Sequence, residues 1–141
     1  RDRLPMADRQ AALARYIANP VDGAQPACMA RALARLATGQ LVSPHSTEVM
    51  MGILARTHSG PLRLKSGAPR GWKVWHKTGT GQELRGLATG YNDVGLMQAP
   101  DGTWYAVVVL IGETHRPIPE RMAMMHEVGA ALGRFHAGQA K

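Results

Sequence analysis

The sequence predicts an α+β fold in which an antiparallel sheet packs beside a helical lobe. Apolar residues recur at helical spacing through the first 58 residues. Three later stretches, between residues 72 and 111, have the residue types and the alternation of β-strands, and a last helical pattern follows them. Helices and strands that are grouped in this way, and do not alternate, are typical of an α+β protein.

The helical part contains three predicted helices. The first is Met6–Ala18, and Asn19-Pro20 ends it because proline disfavours helix at the preceding residue. The second begins at Pro26 and runs to Ala37, with Gly39 as its C-terminal cap. The third begins after the capping pair Ser43-Pro44 and runs to about Arg56. The residues predicted to face the core are Met6, Leu13, Tyr16 and Ile17, then Met29, Leu33 and Leu36, then Val49, Met50, Ile53 and Leu54.

Three strands are predicted in the second part of the chain. The first is Trp72–Thr80, and the second is Leu87–Gln98, interrupted at Tyr91-Asn92-Asp93, where Asp93 would cap a turn. The third, Trp104–Ile111, is apolar on both faces and is therefore predicted to be the central strand. The turn Ala99-Pro100-Asp101-Gly102 would join the second strand to the third.

The remaining segments of this part are an irregular stretch and a long helix. Leu62–Pro69 contains several glycines and prolines and is predicted to be irregular. A final helix is expected at about Pro119–His136, with a core face that consists of Met122, Met125, Val128, Gly129, Leu132 and Phe135. Residues 1–58 and 59–141 together are predicted to form one domain. That domain looks incomplete, because a helix would cover only one face of a thin three-stranded sheet.

Composition excludes some functions and disfavours others. No stretch approaches 18 consecutive apolar residues, so no membrane span is predicted. The net charge of +7 is spread along the whole chain, and the seven aromatic residues form no stacking series, which disfavours nucleic-acid binding. The six histidines lack zinc-ligand spacing, so no metal site is expected. The single Cys28 is predicted to be a small buried hydrophobe.

The segment with the clearest chemical character is Lys77-Thr78-Gly79-Thr80-Gly81, at the end of the first strand. It combines one cation, two hydroxyl donors and two residues without side chains, so an anionic ligand could lie along its backbone. A strand that simply ends in a glycine turn with a solvated lysine is the alternative. His76, beside this segment, either packs within the sheet or tunes the charge of a cleft.

From about Pro26 to His136, the chain resembles the C-terminal half of class A β-lactamases and related serine penicillin-recognising enzymes. The segments that carry the resemblance, in chain order, are Pro26–Ala30, Leu36–Pro44, Gly71-Trp72, Lys77–Gly81, Tyr91–Gly95, Pro100–Gly102 and the final helix. A lone Lys-Thr-Gly is a weak signal, whereas this ordered set is specific. The resemblance implies a β-lactamase/transpeptidase-like fold and acyl transfer through a serine ester, with no cofactor.

The resemblance also implies roles for the residues of the Lys-Thr-Gly segment. Lys77 would keep the cleft positive and assist proton movement during acylation. Thr78 and Thr80 would bind the substrate carboxylate, and the N–H of Thr80 would be one oxyanion-hole donor. Gly79 and Gly81 would allow the substrate to approach the backbone closely. Arg85 and Arg116 could add positive charge, although surface solvation explains them equally well.

The chain departs from the family pattern in three respects. It contains no Ser-x-x-Lys motif and no Ser-x-Asn or Tyr-x-Asn motif, which in the family precede the point where this chain begins. The region expected to hold a deacylating glutamate reads Ala11-Ala12-Leu13-Ala14, with Asp8 as the nearest acid. A missing N-terminal segment of the same protein is therefore the expected partner, and its serine would be the nucleophile.

The missing glutamate leaves the substrate open. The substrate would be a small molecule or peptide with a carboxylate, and the activity would be that of a β-lactamase, a peptidase, an esterase or a slow acyl-enzyme former. The resemblance implies a periplasmic or secreted location. The alternative function is a non-catalytic binding or interaction module of the same fold.

Overall fold

The computed structural model describes residues 4–139, which form five helices and four strands in an α+β arrangement. In chain order these are α1 Met6–Ala18, α2 Pro26–Ala37, α3 Pro44–Ala55, α4 Leu64–Gly67, β1 Lys73–Thr80, β2 Glu83–Leu84, β3 Leu87–Gln98, β4 Trp104–Thr114 and α5 Ile118–Gln139. The predicted fold class, the three N-terminal helices and the long final helix are confirmed. The division of the chain at residue 58 stays a prediction.

The sheet is antiparallel and β3 is its central strand. Within the described residues, β1 and β2 pair with one side of β3 and β4 pairs with the other. The prediction that Trp104–Ile111 is central is therefore wrong. Strand β4 is apolar on both faces because both face other elements. Side chains of α5 pack on one face, and on the other face Leu110 lines a cavity together with Met29 of α2.

The predicted interruption of the second strand is also wrong, because β3 runs unbroken through Tyr91-Asn92-Asp93. The polar side chains in this segment are tolerated because each has a partner. Asn92 Oδ1 accepts a hydrogen bond from the Ile111 N–H at 3.0 Å. Asp93 is fully buried and accepts hydrogen bonds from two groups, so it does not cap a turn. Hydrogen bonds of this kind compensate the loss of water around buried polar groups.

The predicted turn between β3 and β4 is confirmed. The Ala99 N–H donates to the Thr103 carbonyl at 2.9 Å, and Gly102 has a φ of 92°, which favours glycine. The Asp101 carboxylate accepts the Thr103 N–H at 2.9 Å. This hydrogen bond lowers the pKa of Asp101, and nearby His136 lowers it further.

The lowered pKa of Asp101 predicts a small dependence of stability on pH. A carboxyl group whose pKa is lower in the folded protein stabilises the fold at pH values above its unfolded-state pKa of about 3.9. This stabilisation is lost as the pH falls through the pKa of the folded state. We expect Asp101→Ala to be less stable than wild type at pH 7, with the difference vanishing near pH 2. Urea unfolding at both pH values measures this, and a difference that grows on acidification would contradict it.

The main core lies between the sheet and α5. It is centred on buried Leu64, Met97 and Val107, and side chains from β1, β4 and α5 surround these residues. Leu64 belongs to α4, so the prediction that Leu62–Pro69 is irregular is wrong for Leu64–Gly67, which forms one helical turn. The predicted core face of α5 is largely confirmed, since Met125 and Gly129 are buried, whereas Phe135 is 57% exposed.

The helices α4 and α5 are in backbone contact. A Cβ atom at Gly67 would lie 1.9 Å from the His126 carbonyl oxygen, and one at Gly129 would lie 2.8 Å from that of Leu64. Both distances are below 3.0 Å, and non-bonded contacts of Cβ atoms are essentially never that short. Glycine is therefore required at both positions, where the backbones of the two helices come close to each other.

The N-terminal helices begin and end where the sequence predicts. Pro26 and Pro44 occupy first-turn positions, Ser43 Oγ accepts the Ser46 N–H at 3.2 Å, and Gly39 has a φ of 69°. The cap geometry at these positions is local, which explains why the sequence predicts it well.

The predicted core faces of these three helices are only partly correct. Leu36 is buried, but α1 and α3 contain no buried residue, and Val49, Met50 and Ile53 are exposed. Cys28 is also exposed, so the prediction that it is buried is wrong. An apolar stripe shows which face of a helix can be buried, but not whether the described residues cover it. No helix of residues 4–139 is both long and apolar enough to cross a membrane.

Candidate active site

The segment Lys77–Gly81 lies at an edge of the sheet. Within residues 4–139, strand β1 pairs only with β3, so its other side carries no neighbouring strand. The antiparallel register places Lys77 opposite Val94 and Thr80 opposite Tyr91. Because side chains alternate along a strand, Thr78 and Thr80 share one face of β1 and Lys77 lies on the other.

The two threonine hydroxyls each meet a side chain from the segment that precedes α4. Thr78 Oγ1 lies 2.6 Å from Ser59 Oγ, and Thr80 Oγ1 accepts a hydrogen bond from Arg63 Nη2 at 2.7 Å. The structure therefore brings two predicted site residues together with Ser59 and Arg63. The result is a row of hydroxyl groups along the strand with a guanidinium at one end.

Arg63 is the main site residue that the sequence analysis missed. Only 7% of its surface is exposed, and its guanidinium carbon lies 3.7 Å from the centre of the Tyr91 ring. Nη1 donates to the carbonyl oxygens of Gly79 at 3.0 Å and Asn92 at 2.8 Å. A charged residue between two leucines, Leu62-Arg63-Leu64, is the sequence signal that could have revealed it.

Within residues 4–139, no carboxylate neutralises the charge of Arg63. All its hydrogen-bond partners are uncharged, and no ion pair within residues 4–139 includes it. Its buried Nε atom has no hydrogen-bond partner there. Burying an unpaired charge costs free energy, so such a group is suited to pair with an anionic ligand. By contrast, Arg116 forms an exposed ion pair with Glu120 at 2.8 Å.

Lys77 is exposed and does not join the row of hydroxyl groups. Its Nζ atom donates to the carbonyl oxygen of Thr78 at 2.8 Å, and no described carboxylate is paired with it. The ammonium group can therefore move towards another partner without breaking an ion pair.

Gly79 and Gly81, the two glycines of the predicted site, differ in whether packing explains the absence of a side chain. A Cβ atom at Gly79 would meet Asn92 at an ordinary 3.6 Å, so packing does not explain the absence of a side chain. At Gly81 a Cβ atom would lie 1.8 Å from the Thr89 carbonyl oxygen, so packing against β3 is a sufficient reason for glycine. The absence of a side chain at Gly79 is compatible with a ligand that lies on the strand.

Next to the hydroxyl row, on the same face of β1, lies a buried pair that consists of His76 and Asp93. His76 Nδ1 is 3.0 Å from Asp93 Oδ1, and the two side chains are 2% and 0% exposed. Since a carboxylate only accepts hydrogen bonds, the proton lies on Nδ1. The Asp93 Oδ2 atom also accepts the Leu64 N–H at 3.2 Å. His76 thus packs within the sheet and contacts no ligand surface.

A cavity of about 410 Å³ lies beside Gly81, between α1 and the sheet. Its lining is mostly apolar and includes Leu13, Leu84 and Tyr16. The Tyr16 hydroxyl donates to Asp22 Oδ1 at 2.7 Å, and this hydrogen bond raises the pKa of Tyr16. Among residues 4–139, no three His, Cys, Asp or Glu side chains are grouped so that they could hold a metal ion.

This combination of an α+β fold with a Lys-Thr-Gly edge strand is that of serine penicillin-recognising enzymes. The beta-lactamase enzyme family matches residues 6–135, and the chain belongs to this family. The expected resemblance is thereby confirmed.

Individual relatives agree with the family match. The chain is 33% identical over 89 residues to a β-lactamase of Mycobacterium tuberculosis, a match that covers 63% of this chain and 27% of the relative. It is 36% identical over 75 residues to β-lactamase VEB-1 of Pseudomonas aeruginosa, and this match covers 53% of this chain and 25% of the relative. The chain therefore spans about a quarter of the length of these relatives.

The fold agrees with that of solved class A β-lactamases. An ancestral class A β-lactamase (GNCA) superposes with a TM-score of 0.73 at 31% identity, over 82% of this chain and 43% of the other. A β-lactamase from Chitinophaga pinensis gives a TM-score of 0.71 at 29% identity, over 84% of this chain and 42% of the other. The predicted β-lactamase-like fold is confirmed over the part of that fold that the chain covers.

Proposed function

We propose that this chain forms the Lys-Thr-Gly wall of the active site in a serine β-lactamase-like hydrolase. The supporting observation is the guanidinium of Arg63, which is buried, is hydrogen-bonded to Thr80, and has only neutral partners within residues 4–139. Next to the Thr78–Ser59 pair it forms a site whose charge and donors suit a carboxylate. Penicillins and peptides with a free C-terminus both present such a group.

The proposed reaction is acyl transfer to a serine that lies outside these 141 residues. The serine oxygen attacks the carbonyl carbon of a β-lactam, the ring C–N bond breaks, and the serine proton ends on the released nitrogen. Water then hydrolyses the ester and regenerates the serine. Lys77 would hold positive charge near the nucleophile and assist its deprotonation, and the Thr80 N–H would stabilise the oxyanion.

The carboxylate of the substrate would be bound by Thr78, Thr80 and Arg63. The absence of a side chain at Gly79 would let the substrate lie against the strand, while Gly81 would keep the chain close to β3. A segment with the Ser-x-x-Lys and Ser-x-Asn motifs would complete the cleft along the edge of β1 that carries no neighbouring strand within residues 4–139. Together with that segment, the helical part and the sheet would form one β-lactamase-like domain. By resemblance, the protein would be periplasmic or secreted, and β-lactam antibiotics would be among its substrates.

Denaturing intact-mass analysis tests this proposal in the complete protein. After incubation with benzylpenicillin, we expect either one added penicilloyl mass or, if deacylation is fast, loss of the drug from the same tube. Peptide mapping of an adduct would identify the serine. Neither adduct nor drug loss would overturn the proposal and favour a non-catalytic module of the same fold.

A further inference from the structure

The arginine of the proposed carboxylate site is fixed at both of its ends by neighbouring residues of β3. At the guanidinium end, Nη1 donates to the Asn92 carbonyl oxygen at 2.8 Å. At the backbone end, the N–H of the next residue, Leu64, donates to the Asp93 carboxylate at 3.2 Å. Because this N–H belongs to the peptide that joins Arg63 to Leu64, the Asp93 bond sets the orientation of that peptide.

Asp93 also connects this peptide to strand β1. Its carboxylate accepts the Nδ1–H of His76, the residue directly before Lys77. The Nε2 atom of His76 is buried and has no partner in the described part of the chain. A hydrogen there would be a buried donor without an acceptor, so the tautomer with its hydrogen on Nδ1 fits this environment. Both donors that meet Asp93 therefore require an oxygen acceptor.

The carboxylate acts on Arg63 without cancelling its charge. No ion pair within residues 4–139 joins Asp93 to Arg63, because Asp93 bonds the main chain and leaves the guanidinium free of acid partners. An aspartate in direct contact with the guanidinium would compete with the carboxylate of a ligand. The observed arrangement avoids this competition and still orders the arginine.

We propose that Asp93 is a positioning residue for carboxylate recognition, which holds Arg63 against Thr80 through the Leu64 N–H and through His76. This inference rests on the proposed function and concerns the same site. It assigns to a fully buried side chain an effect on substrate selectivity. A misplacement of about 1 Å at such a site can lower a rate by about 10²-fold.

The test compares the acylation efficiency of benzylpenicillin with that of its methyl ester, which lacks the carboxylate charge. In wild type the free acid should react faster. Asp93→Asn preserves shape but offers one oxygen to two donors, so one hydrogen bond is lost. We expect the acid-to-ester ratio to fall about 10-fold or more, through a weaker apparent binding constant for the acid. Asp101→Asn makes the same chemical change in the turn that follows β3 and should leave the ratio unchanged.

A double mutant separates positioning from general destabilisation. If Asp93 acts through Arg63, then Arg63→Gln/Asp93→Asn should have the same ratio as Arg63→Gln alone. Loss of folded protein would lower the reactivity of acid and ester by the same factor, and that result would overturn the inference while the proposed function stands. A further fall of the ratio in the Arg63→Gln background would overturn it too. If the wild-type protein reacts with neither benzylpenicillin nor its methyl ester, both the inference about Asp93 and the proposed function are overturned.

Discussion

Replacing Lys77 by alanine should lower the rate of acylation by a penicillin at least about 100-fold in the complete protein. The Lys77 ammonium has no carboxylate partner in residues 4–139 and lies on the face of β1 opposite Thr78 and Thr80. Its proposed role is to stabilise negative charge and assist proton transfer at the serine. Neither effect survives removal of the amine, and time-resolved intact-mass analysis measures the rate directly.

Lys73 provides a matched control for this experiment. It is an exposed lysine on the same strand, four residues earlier and on the same face. Lys73→Ala should acylate like wild type, because removing a distant surface charge has little effect on the cleft. Wild-type acylation by Lys77→Ala would contradict the role assigned to Lys77. An equal loss in both variants would instead indicate an effect of net charge.

The second large effect concerns stability. Gly67→Ala should lower the free energy of unfolding by roughly 3 kcal/mol or more, at the upper end of what overpacking costs. The new methyl group would lie 1.9 Å from the His126 carbonyl oxygen, and backbone on both sides of the contact would have to separate. Since α4 follows Arg63 directly, the same displacement should disturb the carboxylate site. Urea unfolding of wild type and variant measures the loss.

Gly138 is the matched control, since it is also a helical glycine but has open space around it. Gly138→Ala should be neutral or stabilising by up to about 1 kcal/mol, because alanine favours helix over glycine. If both variants unfold at the same urea concentration, α4 and α5 are not in the close contact described above.

What could be predicted from the sequence depends on local interactions. The ends of α2 and α3 follow from Pro26, Ser43-Pro44 and Gly39, whose capping partners lie within four residues. The turn at residues 99–102 follows from proline, aspartate and glycine in the same way. These elements were predicted correctly because short-range geometry alone specifies them.

The features that were missed depend on partners far along the chain. Arg63 bonds residues 16 to 29 positions away, and Asp93 bonds His76 and Leu64 across the sheet. A polar residue in a strand pattern therefore looked like an interruption, although its partners make it part of the core. The Lys-Thr-Gly segment could be singled out from its own residue types, but its role was indicated only by the ordered set of family segments around it. Its proposed role is still to be tested.

Within residues 4–139, one side of β1 carries no neighbouring strand, and this has a consequence for how the protein behaves among its own copies. An edge strand presents unpaired N–H and C=O groups, which can template the addition of a foreign strand and start aggregation. In β1 the exposed Lys73 and Lys77 lie at this edge, so two such strands that approach each other would bring like charges together. The lysine that would serve the cleft thus also helps to keep that cleft free of neighbouring polypeptide.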